Sequence, residues 1–326
     1  MSSSDKSILP VGFLIHPHAS LHDTGWGHPE HQGRLRAIAS SVGKDLLALD
    51  GKVIQVEPGE IEEKDLLRVH TREHLEHLEE AVRLATAESR LVSIDSDTIV
   101  SPHSWEAACG SSAALVTAAK MVYEEELSTA FVATRPPGHH ATADQAMGFC
   151  LINHVAIATR WLQENSDVNR VLIIDWDVHH GNGTQDIFYG DGSVYYFSLH
   201  QWPHFPGSGA VGEVGEGAGI GLTRNIPVRA GTSPAEYRNL FAHNLEQVLK
   251  SFEADFILIS AGFDVMEGDP LGGLCLEPEY LHFLTTKVMH TASKQCGIVV
   301  ALEGGYHPER TGLGVKAVLR ALAEVE

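Results

Sequence analysis

Cysteine is scarce. Cys109, Cys150, Cys275 and Cys296 are scattered through 326 residues without a single CxxC spacing, so a disulfide framework and a cysteine metal knuckle are both excluded. Positive charge is scarce too: 23 Lys and Arg face 43 Asp and Glu, a formal net charge of -20. Such a surface repels phosphate backbones, which argues against a nucleic-acid partner and for a cationic one. No apolar run approaches the roughly 18 residues that a membrane span needs. MSSSDKS, ahead of the short apolar segment Ile8 to Ile15, lacks the basic start and long apolar stretch of a signal peptide. The expectation is a protein without a membrane partner, cytoplasmic, with its thiols reduced. Repeats, low-complexity tracts and Pro/Ser-rich linkers are missing as well, so residues 1–326 read as a single domain. The glycine-rich stretch Gly212 to Gly221 follows no apolar strand and has neither a G-x-G-x-x-G pattern nor a P-loop Lys-Ser/Thr, so it reads as a loop. The acidic run Glu124 to Glu126 reads as a solvated helix end.

What is present is alternation. The β-branched runs Ala130 to Ala133, Val171 to Ile174, Val194 to Ser198, Phe256 to Ser260 and Ile298 to Leu302 have the composition of strands buried on both faces. Between them, stretches such as Trp105 to Glu125, Asn153 to Glu164, Pro234 to Phe252 and Pro278 to Ser293 read as amphipathic helices. This order predicts an α/β fold with a central, mostly parallel sheet flanked by helices on both faces.

Chemistry gathers where those strands end. In V-L-I-I-D-W-D-V-H-H-G-N-G, residues 171–183, Asp175, Asp177 and His179 stand at i, i+2 and i+4, and an extended chain would point all three to one side. Two carboxylates and an imidazole converging there call for a cation or hydrogen-bond partners; a polar strand end open to water is the alternative. A second strand ends in S-A-G-F-D with Asp264, and in a parallel sheet the carboxyl ends share one edge. Two oxygen ligands and one nitrogen would leave a coordination position free, as in catalytic zinc sites. R-P-P-G-H-H brings His139 and His140 to the same edge, and E-G-G-Y-H brings Tyr306, a set suited to metal-assisted hydrolysis.

These motifs, with G-H-P-E-H-Q-G-R-L at 27–35, G-F-C-L-I-N and D-P-L-G-G at 269–273, closely resemble the histone-deacetylase superfamily across nearly the whole chain, its class II branch in particular. The superfamily also includes acetylpolyamine amidohydrolases. The resemblance implies the arginase/deacetylase fold and one Zn2+ on Asp177, His179 and Asp264. It makes His139 and His140 the proton-transfer pair, Asp175 and Asn182 their respective partners, and Tyr306 the oxyanion donor. By the same resemblance Gly148, Phe149 and Phe205 line a narrow tunnel, Leu271 stands at its mouth and Asp97 at its rim. Structural K+ is implied at Asp175, Asp177, His179, Ser198 and Leu199, and a second at Phe188, Asp191 and Val194.

The implied reaction is removal of acetyl or another acyl group from an acyl-lysine amine by metal-activated water. An acetylpolyamine amidohydrolase is the alternative, against which Leu271 counts, since that family position carries glutamate as the polyamine marker. A binuclear hydrolase would need an Asp two residues after Asp264, where Met266 stands. A non-catalytic acyl-ligand binding protein would be signalled by loss of Tyr306, a ligand or a tandem histidine, and all are present. A homo-oligomer is left open.

Overall fold

The computed structural model describes residues 9–325; the MSSSDKS segment lies outside them. The strands are β1 (Val11–Leu14), β2 (Val53–Gln55), β3 (Val92–Ser93), β4 (Ile99–Val100), β5 (Thr129–Val132), β6 (Val171–Asp175), β7 (Val194–Gln201), β8 (Thr223–Val228), β9 (Phe256–Ala261) and β10 (Gly297–Leu302). Eight of them form one sheet in the order β2-β1-β5-β10-β9-β6-β7-β8, every pairing parallel. β3 and β4 make a separate antiparallel ribbon.

Alternate residues of the central strands feed two separate cores. Leu172, Ile174, Ile257, Ile259, Val300 and Leu302 pack into one core. Their neighbours Val171, Ile173, Phe256, Leu258, Val299 and Ala301 pack into the other. The first core is covered by helices Gly33–Gly43, Pro234–Ser251, Pro278–Thr291 and Pro308–Leu322, the second by Arg72–Glu88, Ser104–Tyr123 and His154–Asn165. A strand apolar on both faces is therefore what a parallel sheet between two helical layers requires.

Helix starts follow local chemistry. Asn153 and Ser233 cap the amides of Ala156 at 3.0 Å and Glu236 at 3.2 Å, Pro234 occupying the first turn of the second helix. The expected helix from Trp105 stops at Tyr123, before the acidic run. Gly212 to Gly221 is a loop containing one 3-10 turn, Gly217–Gly219. All four cysteines are free.

Candidate active site

The carboxyl ends of β5, β6, β9 and β10 are neighbours in the sheet, so the loops leaving them meet above its centre. One sequence expectation needs correction here. β6 ends at Asp175, and Asp177 and His179 sit in the turn beyond it, so strand alternation does not orient them. Each acidic side chain instead caps the turn: Asp175 Oδ1 accepts from the Asp177 amide at 3.0 Å, and Asp177 Oδ1 from the His179 amide at 2.9 Å. Asp264 Oδ1 accepts from the Val178 amide at 2.9 Å, joining the β9 loop to this turn.

Among the described residues, Asp177, His179 and Asp264 form a buried group whose ligand atoms lie within 4.8 Å of one another. His179 Nδ1 is 3.0 Å from Asp177 Oδ1 and 3.2 Å from Asp264 Oδ2. Bonds of about 2.0–2.2 Å to a tetrahedral ion would separate ligand atoms by roughly 3.3 Å, so the spacing fits. Asp264 Oδ2 is buried without a hydrogen-bond partner. Burial and the Asp177 charge push the Asp264 carboxyl up to about 7, the mark of a carboxylate that wants a cation. A Cβ on Gly304 would stand 2.0 Å from Asp264 Oδ2, so only glycine lets the β10 loop close over the group. The donor set and its cradle fit a divalent ion.

The tandem histidines lie beside this group, rings 4.0 Å apart. His139 Nδ1 donates to Asp175 Oδ2 at 3.0 Å, and His140 Nδ1 donates to Asn182 Oδ1 at 2.8 Å. Burial alone would lower both. Asp175, Asp177 and Glu303 override it at His139, raising its pKa to about 10. Among the described residues no carboxylate is hydrogen-bonded to His140, and burial with the neighbouring His139 and His179 outweighs Asp177 and holds it well below the ordinary range. Tyr306 is buried, and burial with the nearby Asp264 raises its hydroxyl well above the usual value, so it remains a donor.

A cavity of about 530 Å³ opens onto this cluster, and Gly148, Phe149, Phe205, Leu271, Asp97 and Tyr306 all line it. The Phe149 ring meets Tyr306 edge-on at 5.6 Å and the Phe205 ring meets His140 at 5.1 Å, so two aromatic walls flank the reacting groups. A Cβ on Gly148, whose φ is +56°, would come within 2.5 Å of the His140 ring.

The family description "Histone deacetylase domain" matches residues 28–322, most of the chain. This chain belongs to the histone deacetylase family. It is 38% identical to "Histone deacetylase 18" of Arabidopsis thaliana, over 98% of this chain and 48% of that protein. It is 38% identical to "Histone deacetylase 7" of Homo sapiens over 86% of this chain and 32% of that protein. A "Probable deacetylase" of Archaeoglobus fulgidus is 35% identical over 95% of this chain and 86% of that protein. The chain thus spans about half the length, 48% and 49%, of the Arabidopsis relatives it matches. The crystal structure of the HDA15 HD domain superposes with a TM-score of 0.88 at 34% identity, covering 96% of this chain and 90% of that one. That likeness establishes the histone-deacetylase α/β fold with its parallel sheet.

Several residues that hold this site together lie inside the sequence motifs but carry no chemistry that the sequence alone reveals. Glu303 Oε2 accepts from the Gly138 and His139 amides at 2.7 and 3.1 Å, and Oε1 accepts from the Ser260 hydroxyl at 2.9 Å, tying three strand ends together. Glu30 of H-P-E is buried between Arg34 at 3.0 Å and Arg135 at 2.8 Å. Arg34 in turn donates to the carbonyls of Glu303 and Gly305 and lies over the Tyr306 ring. Asp269 Oδ2 accepts from the Tyr306 amide at 2.6 Å. His204, stacked on His179, had no sequence signal at all.

At the expected cation positions, Asp175 pairs in register with Ser198, and the Leu199 carbonyl accepts from the Tyr237 hydroxyl at 3.1 Å. Near Phe188 and Val194, the Asp191 carboxylate is engaged by Ser193 at 2.6 Å and Arg160 at 2.7 Å.

Proposed function

We propose that this chain is a metal-dependent amidohydrolase that removes acetyl or other acyl groups from the amine of acyl-lysine side chains. The observation that carries this is the pair of histidines with unlike partners beside the Asp177, His179 and Asp264 group, with Tyr306 in the same cavity. The fitting ion is Zn2+, which when bound supplies a Lewis acid that polarises a carbonyl and acidifies water.

The chain's own residues divide the remaining work. His140 is neutral and its Nδ1 proton is committed to Asn182, so Nε2 is free to take a proton from water and return it to the leaving amine. His139 donates from Nδ1 to Asp175, a carboxylate partner that favours its protonated form and so places positive charge where the transition state is negative. Tyr306 donates its hydroxyl to the developing oxyanion. Phe149 and Phe205 enclose a slender alkyl stem and exclude water from the reacting carbon. K+ held by backbone around Asp175, Ser198 and Leu199 is part of the same proposal.

The net charge of -20 supports a cationic substrate carrier. Asp97, which lines the cavity, also favours a second reading, an acylated polyamine whose free ammonium it would hold. Turnover of an acetyl-lysine peptide against acetylputrescine by the zinc-loaded protein, with Tyr306→Phe as blank, separates the two. Peptide turnover lost in the variant supports the first reading, preference for acetylputrescine replaces it with the second, and turnover of neither by the metal-loaded protein rejects both.

A further inference from the structure

The segment Asp269–Gly273 forms a strap along one side of the cavity, with Leu271 facing the substrate space. Its start is fixed to the tyrosine loop: Asp269 Oδ2 accepts from the Tyr306 and His307 amides at 2.6 and 3.2 Å, while Oδ1 accepts from the Leu271 amide at 2.9 Å. Its end is fixed to the last residue of β7, where the Gly273 amide donates to Gln201 Oε1 at 2.8 Å. Its backbone packs close against the Asp264 loop, since a Cβ at Gly272 would stand 2.2 Å from the Asp264 carbonyl oxygen.

The middle of the strap has one further anchor. His204 Nε2 donates to the Leu271 carbonyl at 2.8 Å, and its ring lies nearly parallel to the metal ligand His179, centroids 4.8 Å apart and planes at 17°. The ring is thus held on one face by stacking and spends its N–H on the residue whose side chain narrows the channel. A phenylalanine here would keep the stack and leave that carbonyl without its donor.

We propose that His204 is a positioning residue that sets the width of the substrate channel by latching the Leu271 strap against the metal-ligand side of the site. This rests on the deacylase reading for its substrates, but the latch itself is a property of the chain. Without it the strap hangs from its two ends, Leu271 swings outward, and the channel grips a slender stem less while admitting a broader one.

The test uses the full chain with His204→Phe and His204→Gln, the second able to donate to the same carbonyl. Amide hydrogen exchange over residues 269–274 is read with or without turnover. His204→Phe is expected to speed it about fivefold, the worth of one hydrogen bond, and His204→Gln to leave it near wild type. Bound metal per chain, by elemental analysis, stays unchanged in both. For an acetyl-lysine peptide, His204→Phe raises KM about fivefold with kcat within about twofold, and it favours a peptide bearing 4-(acetylaminomethyl)phenylalanine relative to acetyl-lysine by a similar factor. Unchanged exchange in His204→Phe, loss of metal, or an equal fall in kcat for both peptides overturns the latch. Turnover of neither peptide by wild type sinks the deacylase reading instead, and the exchange comparison still decides the latch.

Discussion

His140 donates from Nδ1 to Asn182 Oδ1 across 2.8 Å, a neutral partner that leaves its imidazolium form without a compensating charge. Replacing that amide by a carboxylate reverses the situation. Asn182→Asp should raise the proton affinity of His140, so a larger fraction is already protonated near neutrality. The acid limb of the kcat/KM profile then moves to higher pH, and activity at pH 6.5 falls roughly tenfold relative to wild type while the alkaline plateau survives. A limb that stays in place would show that His140 is not the group that takes the proton.

Asp264 Oδ2 is buried with no hydrogen-bond partner among the described residues, His179 Nδ1 lying 3.2 Å away. Asp264→Asn should lower divalent metal to well under one equivalent per chain by elemental analysis and abolish turnover. Chelation of the wild-type protein should lower its melting temperature, because Asp177 and Asp264 then repel each other in a buried space. A variant that keeps its metal would refute the assignment of Asp264 as a ligand.

Tyr306 is anchored through its amide by Asp269, so removing its hydroxyl should leave the backbone undisturbed. Tyr306→Phe is expected to lose about a hundred- to a thousandfold in kcat, the usual worth of one oxyanion donor, with little change in KM or metal content.

Glu30 neutralises two guanidinium groups, Arg34 and Arg135, in a fully buried position. Glu30→Ala leaves both charges uncompensated and should cost about 3–5 kcal/mol, measured as a lower urea midpoint. Because Arg34 also lies against the Tyr306 loop, activity should fall before global unfolding.

His154 is buried between the Ser112 hydroxyl at 2.7 Å and the Pro136 carbonyl at 3.0 Å, and burial lowers its pKa to about 4. The unfolded chain binds that proton near 6.5, so between pH 6.5 and 4 the unfolded state holds more protons. Its contribution to stability is complete above 6.5 and is lost as pH falls toward 4, at up to about 1.4 kcal/mol per pH unit. Melting temperatures from pH 7.5 to 4.5 should decline less steeply in His154→Asn than in wild type.

Much of this protein is legible along the chain. Strands buried on both faces must be continuously apolar, which is why β5, β6, β7, β9 and β10 stand out, and the motifs at their ends already name both metal-ligand carboxylates and Tyr306. The edge strands escape the same logic. β2 has only Val-Ile-Gln, half-exposed, and β8 carries Arg224, Asn225 and Pro227, tolerable only where one side needs no partner strand.

Residue types and strand ends, then, were determined by the sequence alone, because burial and reaction chemistry restrict which side chains fit there. The orientation of Asp177 and His179 was decided by tertiary structure, since they leave β6 and take their direction from a turn capped by Asp175, Asp177 and Asp264. The unlike proton affinities of His139 and His140 also belong to the fold, being set by distance to carboxylates rather than by residue type. His204 is the extreme case: an isolated histidine in the chain acquires a role only when β7 and the strap after β9 bring His179 and Leu271 to its two sides.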